Sequence, residues 1–461
     1  MSALIPAQRV VELALAAATK SRRSDETIVI VTEVADASLR WAGNSMTTNG
    51  VSISRSTSVI SIVRKGDSAH VGALRSSAVD SRAIADLVTA AEEAAHAAPA
   101  ARDSAALLTG SGVTPDYWDA PIPETGAQVF GGLARSLSAG FARTDRLYGY
   151  AHHLVETTFL GTSTGLRRRF TQPTGTVEIN AKRGDASAWA GVSSPWFADV
   201  PTDALLDDLS TRLGWALRTV ELPAGRYETL MPPSTVADMM IYLGWSMDGR
   251  GAQEGRTALS APGGGTRVGE KLTDLPLTMY SDPFAPGQEC APFVHTASGS
   301  ERISLFDNGM DIDRVDWIRD GAIAALTYPR AAAAEFGTAP AVPADNLLMT
   351  GGTAALPEMV AATERGLLLT TLWYIRTVDP TTLLLTGLTR DGVYLIEDGQ
   401  VTAAVNNFRF NESPLDLLRR ATEAGAAEAT LPREWGDWAT RAVMPTLRIP
   451  DFHMSSVSQA Q

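Results

Sequence analysis

The chain has 461 residues, and its balance of 44% apolar and 20% charged residues is typical of a folded globular protein. With 39 Lys and Arg against 52 Asp and Glu, the formal charge is −13; the resulting field repels nucleic acid and anionic lipid surfaces, so neither is expected as a partner. The lone cysteine, Cys290, excludes an intramolecular disulfide. The start of the chain is interrupted by charge too early for a signal-peptide core and no uncharged run spans a membrane, so we predict a cytoplasmic protein without a membrane partner.

The first part of the chain predicts an α+β domain, because helical periodicity and strand-like alternation follow each other without repeats. Lys65-Gly66-Asp67 is typical of a hairpin turn between two of the strands. In chain order we predict a helix over 6–22, strands around 27–31 and 58–63, helices over 80–98 and 124–143, strands around 146–160, 166–182 and 186–193, and a helix over 201–219.

A boundary is predicted at Leu222-Pro223-Ala224-Gly225, where proline and glycine break the helix before a new strand over 228–231. This gives an N-terminal mixed α/β domain over 1–221 and a C-terminal domain over 222–461. Apart from an opening helix and a short one near 415–424, the second domain is predicted to be β-rich, with an antiparallel sheet or barrel-like form. The turn signals are Asp307-Asn308-Gly309, Asp320-Gly321, Asp391-Gly392 and Asp398-Gly399.

The usual catalytic and metal-binding motifs are missing. His152, His153 and Glu156 form a tempting metal cluster, but neighbours on a strand point to opposite faces, and His152 and Glu156 are separated by roughly 13 Å of rise. Cys290 and His295 lack the context of a nucleophile and its base. The loop Gly264-Gly265-Thr266-Arg267-Val268-Gly269-Glu270-Lys271 differs from a phosphate-binding loop, since Glu270 stands where lysine is needed.

Several segments together resemble the TldD/PmbA family of peptidase subunits. The run from Leu222 to Tyr227, the next strand and the helix opening at Pro233-Ser234-Thr235 resemble the domain junction of that family. Further segments agree in order and spacing: Asn44 to Gly72, Val268 to Leu272, Phe306 to Gly309 with Ile318 to Ile323, and Asp391 to Val401.

One branch of this family, TldD, is a metallopeptidase with His-Glu-x-x-x-His on the first helix of its second domain, where two imidazoles hold zinc and the carboxylate activates water. The matching positions here run from Met240 to Trp245. Met240 and Trp245 replace the imidazoles and Ile241 replaces the general base, and no cysteine follows Cys290 to supply the third ligand. The resemblance therefore implies no catalytic residue and no metal or other cofactor in this chain. We expect Met240 and Trp245 to be buried on a helix that is kept for packing.

The chain is thus similar to the other branch, PmbA or TldE, which implies a non-catalytic subunit of a heteromeric peptidase. A TldD-like partner would carry the zinc, and an unfolded peptide would be cleaved in a shared chamber. Candidate channel residues are Asp307, Asn308, Arg376 and Asp379, polar residues beside predicted strands. The family usually has a glycine-rich segment where this chain has 374–380, which suggests a different substrate, such as a natural-product precursor.

Two alternatives stay open at the level of sequence. The chain could be a self-sufficient hydrolase whose unfamiliar site uses His152, His153 or Cys290. It could instead be a scaffold or binding protein without a link to proteolysis. Metal analysis of the purified chain would distinguish the self-sufficient hydrolase from the other hypotheses. A neighbouring gene for a His-Glu-x-x-x-His relative would favour the peptidase subunit.

Overall fold

A computed structural model describes residues 5–77, 80–143, 145–198 and 200–459. Two sheets organise the chain: a six-stranded sheet from the N-terminal part and a fourteen-stranded sheet from the C-terminal part. The mixed α/β class predicted from the sequence is confirmed. Among the described residues, no helix combines the length and the apolar character needed to cross a membrane.

The first sheet is antiparallel throughout, in the order β3-β2-β1-β4-β5-β6. Its strands are β1 (Glu26–Trp41), β2 (Met46–Lys65), β3 (Ser68–Ser76), β4 (Arg146–Thr162), β5 (Arg167–Arg183) and β6 (Ala186–Ser193). The helices of this part are α1 (Ala7–Ser21), α2 (Ser81–Ala97), α3 (Gly131–Phe141) and α4 (Thr202–Trp215), with a 3-10 helix at Ala127–Phe130. Asp80 fixes the start of α2, where its side chain accepts hydrogen bonds from the backbone N–H groups of Arg82 and Ala83.

The two faces of the first sheet have different partners, because side chains alternate along each strand. On β1, Val29 and Val31 pack in one apolar cluster with α1 and α2. Ile28 and Ile30 point to the other face and pack with Phe293 of the C-terminal part. The second face of this sheet therefore lies against the C-terminal part of the chain.

The second sheet is mainly antiparallel, with parallel pairs between β8 and β13, β12 and β20, and β7 and β17. Its strands are β7 (Thr219–Val220), β8 (Gly225–Met231), β9 (Met279–Ser281), β10 (Val315–Arg319), β11 (Ala322–Ile323), β12 (Leu347–Met349), β13 (Arg365–Leu369), β14 (Leu372–Asp379), β15 (Leu384–Thr389), β16 (Val393–Glu397), β17 (Gln400–Val405), β18 (Phe408–Glu412), β19 (Glu423–Thr430) and β20 (Ala442–Val457). The helices are α5 (Pro233–Ser246), α6 (Gly249–Gln253), α7 (Arg330–Phe336), α8 (Leu356–Ala361) and α9 (Pro414–Arg420), with a 3-10 helix at Leu305–Asp307.

The four predicted turns differ in their outcome. Asp320-Gly321 and Asp398-Gly399 each connect two paired strands, with positive φ at both residues. Asp391-Gly392 connects β15 to β16, which do not pair with each other. Asp307-Asn308-Gly309 is not a hairpin turn, because Asp307 ends a 3-10 helix.

Helix α5 is the central helix of the C-terminal part. Pro233 stands at its first position, which suits a residue without an N–H, and Val236, Met239 and Leu243 are fully buried in the main apolar cluster. Asp238 is also buried, and its carboxylate accepts hydrogen bonds from the backbone N–H groups of Arg433 (3.2 Å) and Glu434 (3.0 Å). The helix thereby fixes the segment over 433–438, which carries the side chains of Glu434, Trp435, Asp437 and Trp438 described below.

Candidate functional site

A cleft of about 590 Å³ lies between the second face of the first sheet and the C-terminal part. Strand β4 contributes Leu154, Glu156 and Thr158, and the neighbouring β5 contributes Phe170, Gln172 and Thr174. The antiparallel register places Glu156 opposite Gln172. The facing wall comes from segments of the C-terminal part: Trp245, Ala291, Phe293, Val294, His295, Arg302, Ile303, Ile312, Pro343, Ala344, Asp345, Asp437, Trp438, Thr440 and Arg441.

The end of helix α5 reaches this cleft. Ile241, Gly244 and Trp245 line a connected recess of about 100 Å³, which shares Trp245, Arg302 and Trp438 with the cleft. Met240 is 1% exposed, as expected, whereas Trp245 is 40% exposed, so the expectation that Trp245 is buried is wrong. Its ring packs edge-on against Tyr242 (5.6 Å between centroids) and Trp435 (4.7 Å), and its remaining surface faces the open cleft.

The acidic groups of the cleft come from both walls, with Glu156 on the first sheet and Asp345 and Asp437 on the C-terminal part. Asp345 accepts a hydrogen bond from the Gln172 side-chain amide at 2.9 Å, and the Gln172 oxygen accepts one from the backbone N–H of Ala291 at 3.0 Å. Glu156 is half-buried, and burial, with the charge of Asp345 as a smaller cause, raises its pKa. The cleft therefore holds a carboxyl that protonates more readily than usual beside an exposed carboxylate.

The two arginines of the cleft have opposite roles. Arg441 is buried and donates to the backbone carbonyls of Glu289 (2.9 Å) and Pro173 and to the Thr174 hydroxyl (3.1 Å), so it joins the C-terminal part to β5. Arg302 is half-buried, and its side chain has no hydrogen-bond or ion-pair partner among the described residues. Arg441 thus stabilises the contact between the two walls of the cleft, whereas Arg302 lines the cleft with an unpaired guanidinium.

His295 is also without a hydrogen bond to either ring nitrogen within the described part of the chain. Its ring contacts that of Phe293 at 5.8 Å between centroids, and burial lowers its pKa. It therefore faces the cleft as a neutral imidazole at neutral pH.

The comparisons with known proteins agree on one family. A family model described as the PmbA/TldA metallopeptidase C-terminal domain matches residues 224–456, more than half of the chain. The chain belongs to the TldD/PmbA family. Among the curated proteins, no sequence matches it.

Solved structures with the same fold cover almost the whole chain. TldE from Thermococcus kodakarensis has a TM-score of 0.77 at 16% identity, over 97% of this chain and 99% of that chain. A candidate modulator of DNA gyrase from Bacteroides thetaiotaomicron has a TM-score of 0.76 at 14% identity, over 98% of this chain and 99% of that chain. A candidate modulator of DNA gyrase from Thermotoga maritima has a TM-score of 0.74 at 13% identity, over 97% of this chain and 99% of that chain. At these identities the likeness establishes the TldD/PmbA fold and nothing finer.

The metal motif of TldD-type members does not fit this chain. A thioether, an aliphatic side chain and an indole stand at Met240, Ile241 and Trp245, and none of them is a zinc ligand of the kind that such sites use. Within the described residues, no three His, Cys, Asp or Glu side chains are grouped to hold a metal ion. We therefore derive no chemistry through zinc bound to this chain.

The residues considered for a self-sufficient site are engaged elsewhere. His152 contacts Asp36, and His153 points to the opposite face of β4, where its two ring nitrogens contact the Thr125 hydroxyl and the Pro195 carbonyl. Cys290 is buried, and burial raises the pKa of its thiol to about 12. A thiol with that pKa is not an effective nucleophile at neutral pH.

The four predicted channel residues do not converge on the cleft. Asp307 and Asn308 are buried: Asp307 pairs with Arg330 at 2.7 Å, and the Asn308 amide donates to the carbonyls of Thr296 and Leu305. Neither presents its side chain to a channel in this structure, because Asp307 binds the start of α7 and Asn308 fixes its own loop. Arg376 is half-exposed and pairs with Glu434 at 3.0 Å.

Asp379 is solvent-facing at the end of β14. Its carboxylate accepts hydrogen bonds from the Thr381 and Thr382 hydroxyls and so closes a turn. A channel role for Arg376 and Asp379 stays a prediction.

Sequence reasoning missed Arg302, Asp345, Arg441 and Trp438 as cleft residues. None stands in a motif, and they are brought together from three separate segments of the chain between residues 302 and 441. Glu156 was considered only as a metal ligand, and its place opposite Gln172 depends on strand register, which a single sequence does not specify here.

Proposed function

We propose that this chain is the non-catalytic, TldE-like subunit of a two-subunit metallopeptidase. In this proposal a TldD-like partner carries the zinc, and this chain contributes one wall of the chamber in which an unfolded peptide is cleaved. The observation that carries the proposal is helix α5, which keeps its place beside a large cleft but has Met240, Ile241 and Trp245 at the positions of the zinc ligands and the base.

The open cleft supports a role in handling a ligand. A chain that served only to stabilise a partner would gain by filling this space, since apolar surface left in contact with water contributes nothing to folding. Instead the cleft exposes Trp245 and Trp438, the latter 75% exposed, next to Arg302 and His295, whose side chains have no hydrogen bonds within the described residues. Large exposed aromatic side chains beside polar groups are typical of binding surfaces.

A free strand edge supports recognition of an extended peptide. Strand β3 pairs with residues 57–65 of β2, so the part of β2 over 46–56 has a strand partner only on the β1 side among the described residues. Val51 and Ile53 on this part are exposed. An extended peptide can add to such an edge through backbone hydrogen bonds, without selection for particular side chains.

The test is co-expression of this chain with a His-Glu-x-x-x-His relative, followed by digestion of an unfolded protein by each subunit alone and by the pair. We expect the two chains to elute as one complex and the pair to cleave faster than the relative alone. Replacing the motif glutamate of the relative with glutamine should remove the activity of the pair, because in this proposal the general base belongs to the relative and not to this chain. A chain that stays monomeric with every such relative, and never alters their activity, contradicts the proposal.

A matched pair of variants tests the cleft within the complex. Trp438→Ala changes an exposed tryptophan of the cleft, and Trp196→Ala changes one that is 61% exposed but does not line it. We expect Trp438→Ala to lower peptide turnover severalfold at unchanged complex mass and Trp196→Ala to leave turnover unchanged. Equal effects of both substitutions would mean that the cleft has no part in turnover.

A further inference from the structure

We propose that the cleft is a carboxylate-binding site in which Arg302 binds the C-terminal carboxylate of an unfolded peptide. The inference rests on the proposed function, since it takes the ligand to be a peptide. It adds a recognised chemical group and a residue that binds it.

Arg302 is unusual among the arginines that face the cleft. Its Nε atom is buried without a partner, and no described residue forms a hydrogen bond or ion pair with its guanidinium. Asp248 is the carboxylate whose charge acts on it, but the two side chains form no ion pair, and the adjacent Glu301 pairs with Arg250 at 3.4 Å. A half-buried guanidinium without a counter-ion is costly, and a carboxylate in the cleft can accept hydrogen bonds from the two Nη groups, which are not among the buried atoms.

The surroundings of Arg302 favour a peptide end. Ile303, Pro343 and Trp438 line the same cleft, and Trp245 and Trp438 are shared with the recess at the end of α5. These apolar walls suit the side chains that precede a C-terminal carboxylate.

The acidic residues of the cleft discriminate against other anions. Glu156 and Asp345 interact with each other electrostatically, and Asp437 lines the same cleft. A phosphate dianion would be repelled by these groups, whereas a peptide brings one negative charge at its end and backbone N–H donors along its length. The cleft thus offers carboxylate acceptors for backbone N–H groups and the guanidinium of Arg302 for the terminus.

The experiment uses two fluorescently labelled hexapeptides of identical sequence with uncharged side chains, one with a free C-terminal carboxylate and one with a C-terminal amide. Each is titrated with this chain alone, and binding is followed by fluorescence anisotropy. We expect the free acid to bind about tenfold more tightly than the amide, as for a charge-assisted hydrogen-bonded pair. Arg302→Met should abolish this preference, and Arg302→Lys should retain part of it because the charge is kept.

Arg319→Met is the matched control, since Arg319 is an exposed arginine that pairs with Asp316 at 2.8 Å and does not line the cleft. It should keep the full preference. The unfolding temperature of Arg302→Met should equal or exceed that of the unmodified chain, because the substitution removes an unpaired charge. If that variant does not fold, the acid and amide peptides are compared on the unmodified chain and on Arg302→Lys, and these measurements test the inference.

Three results would overturn the inference: equal binding of acid and amide, no binding of either peptide up to millimolar concentration, or displacement of the acid by inorganic phosphate at lower concentration than by acetate. The outcome is separate from that of the proposed function. Carboxylate preference lost with Arg302→Met, in a chain that never affects a TldD-like relative, supports the site and rejects the subunit role. An active pair without that preference does the reverse.

Discussion

The substitutions Met240→His and Trp245→His test which side chains of helix α5 lie in the core and which face the cleft. Both substitutions restore an imidazole at a position where TldD-type members are expected to have one. Met240 is 1% exposed within the main apolar cluster, and Trp245 is 40% exposed at the cleft. We therefore expect Met240→His to destabilise the chain much more than Trp245→His, although tryptophan is the larger side chain.

The expected magnitudes follow from burial. Full burial of a methionine side chain contributes about 1.5–3 kcal/mol, and a buried imidazole without a partner costs about 1–3 kcal/mol more, so Met240→His should cost about 3–5 kcal/mol. Trp245 has roughly 150 Å² of buried surface, of which histidine replaces about half. At about 25 cal/mol per Å², the loss is about 2 kcal/mol.

Urea denaturation followed by far-UV circular dichroism measures these differences. Trp196→His is the control for exchanging tryptophan at an exposed position, where we expect a change within about 0.5 kcal/mol. Equal losses for Met240→His and Trp245→His, or a larger loss for Trp245→His, would refute the assignment of the two side chains to core and cleft. Neither variant, nor the pair combined with Ile241→Glu, should cleave peptide by itself, since the third ligand is missing.

Three further predictions concern a buried acid, a buried thiol and the metal content. Burial raises the pKa of Asp238 well above 3.8, so the folded state binds this proton more tightly than the unfolded state. The stability of the unmodified chain relative to Asp238→Asn should therefore fall as pH rises from about 4 through the raised pKa, and a difference that is constant across pH 4.5–8 in urea titrations would contradict this. Because burial raises the pKa of Cys290 to about 12, iodoacetamide at pH 8 should not label the native chain but should label it fully in guanidinium, as read by mass spectrometry; rapid native labelling would show an accessible thiolate. Elemental analysis should find far less than one zinc per chain, and one tightly held zinc that is lost on replacing His152 and His153 would overturn the assignment.

The elements of the N-terminal part were predictable because their signals are local. Asp80 before an alanine-rich amphipathic run predicts the start of a helix, and the structure starts α2 at Ser81. Lys65-Gly66-Asp67 predicts a hairpin, and Gly66 has the positive φ that this turn requires. In the C-terminal part, residues 254–346 are mostly loops, with three short strands, helix α7 and a 3-10 helix between them, and loops held by side-chain hydrogen bonds have no periodic signal.

The sequence by itself determined the mixed α/β class, the order of the main helices and strands, the resemblance to the TldD/PmbA family and the absence of its metal motif at 240–245. All of these depend on residues close together in the chain. Only the tertiary structure decided that Trp245 faces a cleft, that Asp307 and Asn308 are buried, and that Arg302 and Asp345 line the same space. The physical reason is that a cleft is defined by what packs around it: the first sheet and distant loops of the second part meet through contacts that no single segment specifies.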